Sequence, residues 1–115
     1  MINWSTENAS VIAITNNSIT VTWEQISDVT PTFEKFYGYT IQYRVHDVQK
    51  NYIEAANITY SSQNNYFSLM NLTFNTVYDI QILPFKSDGG LRKFGTPYPV
   101  ISAKTRCIRK FINIV

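Results

Sequence analysis

Side chains able to do covalent or acid–base chemistry are sparse in this chain of 115 residues: His46 is its only histidine and Cys107 its only cysteine. Asp47 adjoins His46, the spacing of a base and its orienting carboxylate, but neighbours in an extended run point to opposite faces and make a poor catalytic pair. Cys107 lies far from His46 in sequence and has no second cysteine beside it, so neither a Cys–His nucleophile nor a zinc site is supported. Asp88-Gly89-Gly90 has the glycines of a turn without the Lys-Ser/Thr that follows a phosphate-cradling loop. With these constellations missing, the expectation is a non-catalytic chain with no cofactor and no bound metal.

A different chemistry is better represented. Asn-x-Ser/Thr acceptors for N-linked glycan begin at Asn3, Asn8, Asn16, Asn57 and Asn71. Chance alone gives about two in a sequence this rich in Asn, Ser and Thr. Five acceptors therefore point to passage through a secretory pathway. The N-terminal residues lack a basic region followed by an apolar one, so they do not read as a signal peptide. An extracellular chain of this kind is expected to be a segment of a longer protein. No run of some 18 apolar residues is present to insert directly into a membrane.

The elements that must carry these residues are short strands. Hydrophobic residues make up 44% and aromatic residues 15% of the chain, enough for a packed core, while only 16% are charged. Apolar and polar residues alternate through Ile19, Val21 and Trp23, through Tyr39, Ile41, Tyr43 and Val45, and through Tyr78, Ile80 and Ile82. Period-two alternation of this kind marks strands with one buried face. Weaker runs at 10–15, 52–60, 66–72 and 100–105 bring the expected total to seven strands with no helix. Turn signals between them make an all-β, antiparallel sandwich the expected fold. Residues 1–9 read as a lead-in, 10–105 as the domain and 106–115 as a tail or linker.

These strands carry a further set of residues in a fixed order: Trp23 at the end of the second, Gly38-Tyr39 and Tyr43 on the third, Leu72 and Tyr78 around the sixth, and Pro97-Tyr98-Pro99 through Thr105 at the last. In this order and spacing the chain resembles the fibronectin type III family, from about Ser10 to Thr105. The resemblance implies a seven-stranded, immunoglobulin-like sandwich in which Trp23, Tyr43, Leu72 and Tyr78 are structural. The Tyr78 hydroxyl is expected to bond backbone near Leu72, so that Tyr78→Phe would strand a buried backbone acceptor. Pro84 departs from the family pattern. It lacks an N–H, which predicts an edge, a bulge or the end of the sixth strand.

The resemblance also implies a protein-binding or spacer module in the ectodomain of a cell-surface receptor or adhesion protein. A secreted matrix protein or an accessory domain of a secreted enzyme is the alternative. The expected partners are neighbouring domains of the same longer chain, and another extracellular protein. Residues 86–93 read as a long Gly-rich loop between the last two strands, a place where binding residues gather on a rigid sandwich. Lys86, Arg92 and Lys93 would face an acidic partner there, with Leu91 and Phe94 adding apolar surface. Replacing Arg92 and Lys93 with Ala is then expected to weaken binding and leave stability unchanged. The positive charge of residues 86–115 splits between this loop and the tail, at opposite poles of the fold, so no single patch for nucleic acid is expected.

Overall fold

The computed structural model describes residues 8–24, 37–59, 65–88 and 90–108. Its strands are β1 (Ala9–Ile14), β2 (Ile19–Trp23), β3 (Tyr37–Val45), β4 (Ile53–Thr59), β5 (Tyr66–Leu69), β6 (Val77–Asp88), β7 (Leu91–Phe94) and β8 (Ile101–Lys104). β1, β2 and β5 form one sheet in that order. The second sheet runs β4-β3-β6-β7, with β8 also pairing β6. Every pairing is antiparallel.

The alternation seen in the sequence decides which side of each sheet turns inward. Ile19, Val21 and Trp23 of β2 are buried against Tyr39 and Ile41 of β3 and Tyr78, Ile80 and Ile82 of β6, in one cluster with Leu69, Leu72, Tyr98 and Ala103. Aromatic rings join the two sheets at one end of this cluster. The Trp23 and Tyr39 centroids are 5.3 Å apart and tilted, and Tyr39 and Tyr98 meet edge-on at 6.2 Å. Such offset and edge-on contacts are the favoured arrangements of aromatic pairs.

The sandwich is the one expected, with local differences. β7 lies in the segment read as a loop, so eight strands stand where seven were expected, and β8 is the expected last strand. Between β7 and β8 the segment Gly95–Val100 turns Tyr98 into the core, where the ring is almost fully buried. The Tyr98 hydroxyl donates to the Glu24 carbonyl and its amide donates to the Ile82 carbonyl at 2.9 Å. Pro97 and Pro99 lack the N–H groups of a continuous ladder, which accounts for the break.

Pro84 lies inside β6 and not at its end, opposite Tyr39 of β3. Its carbonyl accepts from the Gly95 amide at 2.8 Å, on the side of β6 away from β3. A strand residue directs its N–H and C=O to the same side. The missing N–H of Pro84 therefore faces the gap between β7 and β8, and no β3 bond is lost. The segment 86–93 is likewise not a long loop. β6 continues to Asp88 and returns through Gly90, at φ +86°, into β7, in register from Phe85–Phe94 to Asp88–Leu91.

At the opposite end of β6 the Tyr78 hydroxyl accepts a hydrogen bond from the Thr73 amide at 2.8 Å. The group it satisfies is thus a backbone donor and not the acceptor expected. The Thr105 hydroxyl donates to the Thr73 carbonyl at 2.6 Å and accepts from the Thr76 amide at 3.0 Å, tying the end of β8 to the same crossing. Leu72, beside it, is buried and donates its amide to the Asn17 carbonyl at 2.9 Å. Tyr78→Phe keeps the ring packing and strands the Thr73 N–H, so equilibrium denaturation should show a loss of about 1–3 kcal/mol. A wild-type midpoint and slope would show that the bond contributes nothing.

Candidate functional site

Two polar clusters lie on the outward face of the larger sheet, and cross-strand register builds both. In the first, Ser102 of β8, Asp79 of β6 and Arg44 of β3 stand in one row, because Asp79 pairs with both of its neighbours. The Asp79 carboxylate is 3% exposed as a residue and is fully engaged. It accepts from Ser102 Oγ at 2.7 Å and from Arg44 Nε at 3.1 Å, and it meets His46 Nδ1 at 2.9 Å. The Arg44 guanidinium also lies 4.4 Å from the Tyr52 ring centroid and donates to the Lys50 carbonyl at 2.9 Å.

His46 and Asp47 do meet, with Nε2 3.2 Å from Oδ2, contrary to the expectation from strand alternation. Residues 46–48 form a turn, and Asp47 adopts φ +64°, so alternation does not govern them. A Ser, a His and an Asp thus lie together, but the connectivity is not that of an activated serine. The Ser102 hydroxyl bonds Asp79, while the free side of the imidazole faces Asp47. An activated serine needs its hydroxyl on that imidazole nitrogen. Sequence reasoning missed this cluster because its members come from three strands and a turn, joined only by register.

Burial raises the Asp79 carboxyl, but hydrogen bonds from Ser102, His46 and Arg44 and the charge of His46 outweigh it, so its pKa falls below the ordinary value of 3.8. A depressed carboxyl stabilises the fold above its unfolded pKa, and that contribution is lost as pH falls through the lower folded value. Stability of the wild type should therefore drop on acidification below about pH 4, a range set by ordinary aspartate titration. In Asp79→Asn this part of the acid transition should disappear, as followed by denaturant midpoints at successive pH values. An identical acid limb in both proteins would contradict the assignment.

The second cluster surrounds Arg92 of β7. Arg92 Nη1 donates to Thr40 Oγ1 of β3 at 2.9 Å and to Asn57 Oδ1 of β4 at 2.6 Å, and lies 3.3 Å from Glu54 Oε1. Its guanidinium carbon stands 5.1 Å from the Phe94 ring centroid and 5.8 Å from that of Phe85. Phe85 is buried although it is on the outward face. Gly38 makes this possible, since a Cβ there would lie 2.8 Å from the Phe85 ring and 2.6 Å from the Ile58 carbonyl oxygen. Arg92 thus spans the sheet from β7 to β4. Its replacement removes these contacts, so the expectation of unchanged stability for an Arg92 variant is withdrawn.

The remaining residues singled out in the sequence are distributed around the fold. Leu91 and Phe94 stand on β7, 72% and 45% exposed. Lys86 pairs with Lys93 across the hairpin. Lys104 faces Val77 at the other end of β6, so the two basic groups are separated by nine residues of strand, roughly 30 Å. Tyr43 packs its ring 6.1 Å from that of Tyr78. Asn8, Asn16 and Asn71 are exposed, Asn71 at φ +59°, a conformation Asn tolerates better than most residues. Asn57 is held in the Arg92 cluster, and Asn3 lies outside the described residues. Cys107 is exposed and its thiol lies 3.4 Å from Asn75 Oδ1.

Two antiparallel sheets packed through a Trp–Tyr–Tyr cluster, with a tyrosine bonded across the crossing between them, define an immunoglobulin-like β-sandwich. The family model of the fibronectin type III domain matches residues 5–101, and the chain belongs to that family. Solved structures share the fold at low identity. The solution structure of a fibronectin type III domain derived from a human protein is 15% identical, with TM-score 0.66, over 95% of this chain and 79% of that one. A structure described as that of a myokine is 20% identical, with TM-score 0.62, over 90% of this chain and 99% of that one. A computationally redesigned β-sandwich protein is 20% identical, with TM-score 0.59, over 89% and 94%. No curated protein matches the chain in sequence. Fibronectin type III domains are in general non-catalytic modules that bind proteins or space other domains, and they are often extracellular.

Proposed function

We propose that this domain is a non-catalytic protein-binding module in the ectodomain of a cell-surface receptor or adhesion protein, and that it binds through the β6–β7 hairpin. The observation that carries the reading is the apolar surface of β7. Leu91 is 72% exposed and Phe94 45% exposed on a short edge strand. An exposed leucine and aromatic ring side by side form apolar surface that gains from being covered by a partner. The acceptor sites at Asn3, Asn8, Asn16, Asn57 and Asn71 support a secretory route and hence an extracellular partner.

The internal engagement of Arg92 changes the kind of partner proposed. With its guanidinium turned to Thr40, Asn57 and Glu54, the hairpin offers apolar contact first and charge second. That same engagement favours a second reading, in which the domain only spaces its neighbours.

The two readings separate experimentally. A fluorescent, glycosylated form of the domain applied to intact cells should bind saturably, and Leu91→Ser should weaken binding at least tenfold while the melting temperature is retained. Leu91 is exposed, so its replacement removes little folded-state packing, whereas Phe94 packs on Phe85 and Arg92 and is left in place. Undiminished binding by this variant would move the site off the hairpin. Absence of saturable binding across cell types would favour the spacer.

A further inference from the structure

Asn57 is both a glycan acceptor in Asn57-Ile58-Thr59 and the centre of the Arg92 cluster. Its amide is used on both sides. Oδ1 accepts from Thr40 Oγ1 at 2.6 Å and from Arg92 Nη1 at 2.6 Å, while Nδ2 donates to Glu54 Oε2 at 2.8 Å. Arginine can only donate, which fixes the amide with its oxygen towards Arg92. Glu54 closes the circuit, because its other oxygen, Oε1, lies 3.3 Å from the same Arg92 nitrogen. A ring that leaves the amide through Oδ1 and returns through Nδ2 uses the N–H on the same side as Oδ1.

That position is the one a sugar takes. An N-substituted amide places its substituent trans to the carbon chain, hence beside the carbonyl oxygen. A glycan on Asn57 in its ordinary trans form therefore occupies the place of Glu54 Oε2. We infer that Asn57 is an N-glycan attachment site whose occupation expels Glu54 from the amide and frees Arg92 from its ion pair with that carboxylate. The inference rests on the extracellular reading above. In the covalent step Nδ2 attacks the anomeric carbon of a lipid-linked oligosaccharide diphosphate. One C–N bond forms, the glycosyl–oxygen bond to the diphosphate breaks, and one amide proton is released as the lipid diphosphate leaves.

The modification has a consequence for the hairpin. In the unmodified domain Arg92 is drawn across Phe85 towards β4. With Glu54 displaced, Arg92 keeps its bonds to Asn57 Oδ1 and Thr40 Oγ1 but loses the carboxylate that lay 3.3 Å from both Nη1 and Nη2, so its charge stands uncompensated beside Leu91 and Phe94. Modification on β4 thus alters the charge presented by β7, two strands away across β3 and β6.

The test compares the effect of Arg92→Ala in two forms of the domain. One is secreted from eukaryotic cells and purified with Asn57 occupied, as established by peptide mapping. The other carries unmodified Asn57, either made in bacteria or secreted as Thr59→Ala, which removes this acceptor and leaves the others. In the unmodified form Arg92→Ala should lower the melting temperature by on the order of 5 °C. In the occupied form, where Arg92 has lost Glu54 but keeps Asn57 and Thr40, the same substitution should lower it by measurably less. Equal losses in the two forms would overturn the inference, as would glycan at other acceptors with Asn57 bare. A secreted chain with no glycan at any acceptor would defeat the extracellular reading along with it.

Discussion

The shape of this domain depends on how one strand shares its two edges. β6 pairs with β3 along nearly its whole length, from Tyr37–Lys86 to Val45–Tyr78. Its other edge is divided between β8, at residues 77–80, and β7, at 85–88. Between the two partners the edge is closed by single bonds, from Tyr98 N–H to the Ile82 carbonyl and from Gly95 N–H to the Pro84 carbonyl. A central strand ordinarily tolerates no proline, because a ladder bond is lost. Here the proline falls where the ladder is already interrupted, and the interruption is what carries Tyr98 into the aromatic cluster with Tyr39 and Trp23.

Each polar cluster is an outcome of the same arrangement. At one end of β6, pairing with both β3 and β8 sets Arg44 and Ser102 on either side of Asp79, where a carboxylate can be buried because every partner it needs arrives by register. At the other end, pairing with both β3 and β7 stacks Gly38, Phe85 and Phe94 in a row. Arg92 then reaches across that row to β4. Opposite charges and aromatic pairs placed directly across a sheet are the units that stabilise it. In this domain they also determine which outward residues are committed inside the molecule, while Leu91 on β7 remains exposed.

The core was legible in the sequence because burial imposes a period. Ile19, Val21 and Trp23, and then Tyr78, Ile80 and Ile82, alternate with polar residues, and each of these apolar residues is buried. β7 left no such trace, since all four of its residues are exposed and neither face selects for apolar side chains. With Gly89-Gly90 before it and Pro97 after it, Leu91–Phe94 therefore read as loop. Asp79 was unreadable for a related reason. A polar residue at an outward position looks solvated, and its burial comes from Arg44, His46 and Ser102, which sequence separation hides. The same holds for Arg92. Its charge was apparent from sequence, whereas its partners on β3 and β4 depend on a pairing order that composition does not encode.

Amide hydrogen exchange, resolved residue by residue, tests the divided edge of β6 most directly. Gly95 and Tyr98 lie outside the strands yet donate to Pro84 and Ile82, so their amides should be protected to a degree approaching that of core strands, with Thr96 between them exchanging quickly. Fast exchange at Tyr98 beside a protected Gly95 would mean a single continuous last strand, in which alternation turns the Tyr98 N–H away from β6. Rapid exchange at both Gly95 and Tyr98 would mean that the edge is open, and either result would contradict the arrangement on which both polar clusters depend.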